Sequence, residues 1–301
     1  MGGLAGYEGH FYFKSASLVR LPEKQLVEEE SGMATKIQPQ PNTVRSLVSD
    51  FQSLGVQKGM TIIVHSSLKS LGWVCGGANA VVQALMETVG REGTIVMPTQ
   101  SAELSDPAYW EEPPVPEEWW ETIRNEMPAF DPKTTTTLGM GKIVDCFRSY
   151  DDVIRSYHPT TSFAAWGKHA HFITEHHSLE FSLGEESPLQ KIYDLNGHVL
   201  LIGVGYEHNT SLHLAECHAN ACYTCQQGSP IIEDDRRVWK EYEEFLYDTD
   251  KFNEIGFLFE RNGLVSTGQV GMAECRLIPQ RQLVDFATAY FEKRKYINQK
   301  L

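Results

Sequence analysis

The chain has 301 residues, 41 % of them apolar and 22 % charged, which are globular proportions with length for one or two domains and a sizeable core. Its 26 Lys and Arg stand against 40 Asp and Glu, a formal charge of −14. That balance disfavours a nucleic-acid backbone as partner and suits a cationic ligand, beside the plainer reading that an acidic surface keeps the protein dissolved. No apolar run is long enough to span a bilayer, and the six cysteines, with no secretory leader ahead of them, point to reduced thiols in a cytoplasm.

Residues 1–32 have neither a helical nor a strand period and end in an acidic run, so they read as a flexible N-terminal extension, with 33–301 as the folded domain. From Thr43 the pattern is regular. Val44, Leu47, Val48, Phe51 and Leu54 recur at helical spacing up to Gly55, and MTIIV at 60–64 reads as a strand. The HSSLKSLGWVCGG loop then leads into a helix, ANAVVQALMETVG, and a second strand, GTIVMPT. Strand, Gly-containing loop, helix and strand in that order predict a parallel pairing.

The stretch 105–133 carries six prolines and three tryptophans, so its core, 106–133, is expected to be a flap over a cleft. GMGKIVDCFRSY and WGKHAHFITEHH read as helices on either side of a short connection, RSYHPTTSFAA. SPLQKIYDL is a further helix, and GHVLLIGVG at 197–205 is a third buried strand. Beyond it, a hairpin is expected around Asp234 and Asp235, then a helix near 250–260, strands near 264–278 and a closing helix. The expected fold class is α/β, a mixed and partly parallel sheet flanked by helices.

Three stretches could carry chemistry. The HSSL loop and the Gly76–Gly77 turn follow a strand and open a helix, so their N–H groups and hydroxyls suit either a phosphate cradle or a tight connection. The loop matches neither the Walker nor the GxGxxG pattern, and a GxSxG nucleophile elbow is absent. In RSYHPTTSF, His158 precedes proline and reads as a turn histidine held by hydrogen bonds.

The third stretch is NTSLHLAE, 209–216. Asn209 can cap a helix starting at Thr210, placing His213 and Glu216 on one face at i, i+3. A first-turn histidine beyond a buried strand sits where open α/β sheets place ligands, and the helix dipole favours its neutral form, as a base requires. A capped core helix with an incidental histidine is the competing reading. Cys217, Cys222 and Cys225 follow closely and could hold zinc or iron with His213 or His218, but no second knuckle of matching spacing exists, and buried thiols explain them better.

Taken in order, HSSLKSLGWVCGG, GTIVMPTQS, RSYHPTTSFAAWG, SLGEESP, GHVLLIGVG and NTSLHLAE make the chain resemble the aminoglycoside N3-acetyltransferase family from about Thr43 to Lys293. Its PPVPEEWW insertion is similar to that of the Bacillus-type members. The resemblance implies an antibiotic N-acetyltransferase-like fold distinct from GNAT, with acetyl-CoA as cosubstrate and no metal. The acetyl group would pass to the 3-amino group of a 2-deoxystreptamine antibiotic, conferring resistance. The partner expected is thus a cationic small molecule, taken up by a cytoplasmic monomer or homodimer that binds neither nucleic acid nor membrane.

By the same resemblance the coenzyme lies against His65, Ser66, Ser67, Leu68, Gly76 and Gly77, with His213 as base. Backbone N–H groups near Ser66 and Ser67, or the hydroxyls of Thr210 and Ser211, could steady the developing oxyanion. Glu216 and Glu244 both remain candidates to orient the base. Asp106, Glu207 and Asp248 are expected to meet the ammonium groups, although Glu207–His208 stands where many relatives have Asp. The alternatives are acetylation of some other amine and a Cys/His metal-binding protein.

Overall fold

The computed structural model describes residues 40–298 apart from 112; the expected extension at 1–32 lies outside them. Helix α1, Val44–Leu54, starts on a reciprocal cap in which Thr43 Oγ1 accepts the Ser46 N–H and Ser46 Oγ accepts the Thr43 N–H. It stops at Gly55, whose φ of 110° lets its N–H turn back to the Gln52 and Phe51 carbonyls. Strand β1 (Thr61–Ser66), helix α2 (Gly77–Val89) and strand β2 (Thr94–Pro98) follow, with β1 and β2 parallel as expected.

Next come α3 (Trp120–Glu126), α4 (Lys142–Arg148), β3 (Ile154–Arg155), β4 (Phe163–Gly167), α5 (Ala170–Thr174), α6 (Pro188–Asp194) and β5 (His198–Ile202). The chain closes with α7 (Ser211–His218), β6 (Tyr223–Glu233), β7 (Arg236–Leu246), α8 (Phe252–Glu260), β8 (Ser266–Val270), β9 (Ala273–Pro279) and α9 (Gln280–Asn298). Seven strands form one sheet in the order β3-β4-β2-β1-β5-β9-β8. Only the central β2-β1-β5 trio is parallel; β4, β3, β9 and β8 add antiparallel wings.

The central strands are apolar along their whole length because both of their faces are covered. Ile62, Val64, Ile95, Met97, Leu200 and Ile202 meet α1, α2 and α4 through Phe51, Leu85 and Phe147. Ile63, Val96, Val199 and Leu201 point the other way, onto Ile192 of α6, Leu212 of α7, Ile255 of α8 and Leu283 of α9. Each such fully buried side chain contributes roughly 1.5–3 kcal/mol, so a one-residue slip of β1 would exchange two complete layers.

Two expectations need correcting. Of the 166–177 helix only Ala170–Thr174 is helical; Trp166 and Gly167 belong to β4, which pairs antiparallel with β2 from Phe163↔Pro98 to Gly167↔Thr94. Ala164 and Ala165 are good helix formers, but here their small side chains fill the space beside β2, and sheet pairing overrides local preference. Among its described residues, the 106–133 segment contributes none to the lining of the cleft described below. It lies instead on the β6–β7 hairpin: Phe130 N–H donates to the Pro230 carbonyl at 3.0 Å, and Arg237 donates to the carbonyls of Met127 and Arg124. The hairpin itself turns on Asp234 and Asp235, at φ 48° and 58°.

Candidate active site

Parallel neighbours β1 and β5 are followed by strands on opposite sides, β2 beyond β1 and β8–β9 beyond β5, so a crevice opens at their carboxyl ends. Ser67 N–H donates to the Ile202 carbonyl at 2.9 Å, which ties the end of β1 to the end of β5. Ser70 Oγ donates to the Gly203 carbonyl at 3.1 Å. Gly203 is held at φ 63°, and a Cβ there would stand 2.3 Å from the Ser70 Cβ, so the floor of the crevice admits only glycine.

The crevice is a cleft of about 1300 Å³, larger than the roughly 300–1,000 Å³ that suits a single small ligand. His65, Ser66, Ser67 and Leu68 line it, as do Gly77 at the start of α2 and Thr210 and His213 at the start of α7. Lys69, Lys142 and Arg276 bring positive charge to its wall, and Glu207 and Glu274 bring negative charge. Gly76 stays behind the lining; at φ 90° it makes the left-handed turn from which α2 begins.

Helix α7 starts one residue later than its sequence suggested, at Ser211, with Asn209 Oδ1 accepting the Ser211 N–H at 3.2 Å. His213 is 8 % exposed and Glu216 7 %. His213 Nδ1 lies 2.7 Å from Glu216 Oε2. Nε2 of the same ring has no hydrogen-bond partner among the described residues and is left to the cleft. Burial raises the Glu216 pKa, an effect that the hydrogen bond and charge of His213 oppose and the nearby Asp248 reinforces. His65 is the second buried imidazole of the cleft. Burial and then His208 lower its pKa to about 3, and its Nε2 has no partner.

Several expected residues lie elsewhere. Ser211 is fully buried with its Oγ accepting from Gln280 Nε2 at 3.0 Å, so it turns away from the cleft into the α7–α9 packing. Glu244 does not reach His213; it accepts the N–H groups of Ser182 and Phe245 and the Tyr247 hydroxyl. Asp106 is bound bidentate by Arg124 at 2.7 and 3.1 Å and caps the turn at Ala108, which spends its charge outside the cleft. Asp248 is exposed and accepts the Asp250 N–H. Glu207 alone of the three expected acids lines the cleft, with His208 Nε2 3.5 Å away.

Sequence reasoning passed over Tyr247 and Phe252, whose rings flank His213, and Arg276, which reaches the cleft from β9. They are far from the recognisable loops, and nothing in their spacing marks them. His158 is the turn histidine expected: its Nδ1 accepts the N–H groups of Thr160 and Thr161, and Nε2 lies 3.2 Å from the Leu179 carbonyl. Cys217 is buried and Cys222 and Cys225 half-buried, and no cluster of three His, Cys, Asp or Glu side chains placed to hold a metal ion occurs among the described residues. Nor is any described helix long and apolar enough to cross a membrane.

A sequence model of the family described as aminoglycoside 3-N-acetyltransferase matches residues 63–292, from within β1 through the whole cleft to most of α9. The chain belongs to the aminoglycoside 3-N-acetyltransferase family. Among the relatives of this acetyltransferase is the SPbeta prophage-derived aminoglycoside N(3')-acetyltransferase-like protein YokD of Bacillus subtilis (strain 168), 52 % identical over 83 % of this chain and 93 % of its own. Aminoglycoside N(3)-acetyltransferase III of Pseudomonas aeruginosa is 32 % identical over 84 % and 95 %.

The crystal structure of YokD superposes on this acetyltransferase with a TM-score of 0.85 at 50 % identity, covering 86 % of this chain and 96 % of that one. AAC-IIIb, solved as a binary complex with CoASH, gives 0.77 at 28 % identity over 85 % and 98 %. AAC-VIa bound to sisomicin gives 0.75 at 28 % identity over 85 % and 99 %. The fold is therefore that of the antibiotic N-acetyltransferases.

Proposed function

We propose that this protein is a cytoplasmic enzyme that transfers an acetyl group from acetyl-CoA to the 3-amino group of a 2-deoxystreptamine aminoglycoside, with His213 as general base, and so confers resistance. The observation that carries the reading is the 2.7 Å contact between His213 Nδ1 and Glu216 Oε2 at the wall of a cleft wide enough for two ligands. AAC-IIIb with CoASH and AAC-VIa with sisomicin support the two ligand classes.

The residues fit the coenzyme. The loop from His65 to Leu68 and the first turn of α2 line the same cleft; Gly77 carries no side chain to block the N–H groups of that turn, and Lys69 and Lys142 stand on the wall. His65, kept neutral by burial, has an unpartnered ring nitrogen at the start of that loop. When bound, the coenzyme supplies the acetyl group as a thioester.

The chain's own part is to move one proton and to hold geometry. With a proton on Nδ1 and Glu216 accepting it, His213 Nε2 carries a lone pair toward the cleft. That lone pair takes the proton from the attacking amine, and Glu216 stabilises the imidazolium formed. The proton is then on Nε2, available to the departing sulfur. Base catalysis of this kind is worth about 10²–10⁴-fold in rate, and alignment of two bound substrates can be worth about 7–11 kcal/mol. Glu207 and Glu274 are the carboxylates of the lining that would meet ammonium groups.

Release of free CoA thiol, measured with acetyl-CoA and a panel of 2-deoxystreptamine antibiotics including sisomicin, tests the reading. At least one antibiotic is expected to give thiol well above the acetyl-CoA background, with the new amide at N3 by NMR. Background release with every member of the panel overturns the substrate assignment.

A further inference from the structure

A single hydrogen bond at Nδ1 fixes one atom of the His213 ring and leaves the plane free to swing. The structure supplies the missing constraint from outside α7. Tyr247 and Phe252 stand on the ring, each with its centroid 4.7 Å away and inclined at 57° and 59°. Phe252 is fully buried at the start of α8. Tyr247 follows the end of β7 and forms part of the cleft wall.

The phenol of Tyr247 is itself tied down. Its O–H donates to Glu244 Oε1 at 2.9 Å, and its oxygen accepts the Leu183 N–H at 3.1 Å. Glu244 Oε1 also accepts the N–H groups of Ser182 at 3.1 Å and Phe245 at 2.9 Å. Burial, then the charge of Glu244, raises the Tyr247 pKa well above its ordinary value, so the phenol keeps its proton and remains a donor. Two backbone segments far apart in the chain, 182–183 and 244–247, therefore converge on one tyrosine whose ring walls the imidazole.

We infer that Tyr247, tethered through Glu244 and the 182–183 backbone, is a positioning residue that fixes the plane of the His213 ring for proton transfer. The inference rests on His213 being the base. It assigns Glu244 a task that its distance from His213 otherwise leaves unexplained, acting through the phenol. A productive base must be held within about 0.5 Å and 10–20° of its working geometry, and two ring walls plus one hydrogen bond remove the swing that a hydrogen bond alone allows.

The test reads the ring directly. Protein labelled with ¹⁵N-histidine is compared as wild type, Tyr247→Phe, Tyr247→Leu and Glu244→Gln, with His213→Gln assigning the signal. Wild type is expected to show one His213 tautomer with the proton on Nδ1. Tyr247→Leu is expected to split or broaden that signal, Tyr247→Phe to broaden it less, and Glu244→Gln, whose amide oxygen still accepts from the phenol, to leave it close to wild type.

Loss of the phenol hydrogen bond, about 1–1.5 kcal/mol, corresponds to roughly a tenfold fall in kcat for Tyr247→Phe with sisomicin and acetyl-CoA. KM for both is expected to stay within about twofold, because phenylalanine keeps the ring that walls the cleft. An unchanged His213 spectrum in Tyr247→Phe and Tyr247→Leu overturns the inference; Tyr247→Phe preserves the ring volume and keeps the test valid if the leucine variant does not fold. Full turnover by His213→Gln would instead overturn the base assignment, and the ring spectrum would still decide the positioning on its own.

Discussion

Glu216 stands three residues after His213 on α7, and the 2.7 Å contact between them points the opposite ring nitrogen at the cleft. Side chains three apart on a helix are neighbours, so the pair needs no long-range packing to form. His213→Gln is expected to lower kcat by about 10²–10⁴-fold. Glu216→Ala removes a hydrogen bond to a charged group, about 1.5–3 kcal/mol, or roughly 10- to 150-fold in kcat. Thiol release at saturating acetyl-CoA measures both, and a His213→Gln enzyme within threefold of wild type would remove the base from the mechanism.

Burial lowers the His158 pKa to about 4, against the weaker opposing effect of its hydrogen bond to the Leu179 carbonyl. Its unfolded value is 6.5, so its contribution to stability is complete above that pH and drains as pH falls toward 4. Between pH 7.5 and pH 5 the loss is about 2 kcal/mol. Glu216 and Glu244, whose pKa values burial raises, act with the opposite sign and gain stability as pH falls. Urea unfolding of wild type and His158→Gln at both pH values isolates the histidine: the variant, weaker at pH 7.5, is expected to lose about 2 kcal/mol less on acidification.

Gly203→Ala tests the floor of the cleft. The backbone at φ 63° costs a side chain about 1–3 kcal/mol, and the added Cβ would push against Ser70, displacing the loop that carries Ser67. A lower melting temperature and a several-fold higher KM for acetyl-CoA are expected together. Gly263, at φ 70° with open space around it, is the control: Gly263→Ala lowers the melting temperature and leaves KM alone. Equal KM values in both variants would show that the floor does not shape the coenzyme site.

The hairpin turn offers a gain in stability. Asp234 and Asp235 both hold positive φ, as a two-residue turn between twisted strands requires, and Asn-Gly adopts that geometry at lower cost. Asp234→Asn with Asp235→Gly is expected to stabilise the protein by about 1 kcal/mol. Thermal melting reads the gain, and kcat is expected to be unchanged because the turn lies at the far end of the hairpin from Tyr247.

The central strands were legible because both of their faces are apolar, and the hairpin because two turn-forming aspartates interrupt its pattern. Strand β4 was not, since Ala164 and Ala165 prefer a helix and only the edge of β2 makes them extended. At the site, the three-residue spacing put Glu216 beside His213, whereas Glu244 could be separated from His213 only by seeing Ser182 and Tyr247 take its oxygens. Asp106 read as a free carboxylate because its partner, Arg124, lies in a segment without helical period. Short-range pairings are written in spacing; the partners that occupy or release a charge arrive from elsewhere in the fold.

Ile62 pairs with His198 although a large part of the chain lies between them. Closing so long a loop costs entropy before the strands reward it, which slows folding. During synthesis the HSSL loop therefore emerges well before the strand that completes the crevice, while the β6–β7 hairpin joins neighbours in sequence. A chain synthesised only as far as the HSSL loop carries one side of the cleft and not the other.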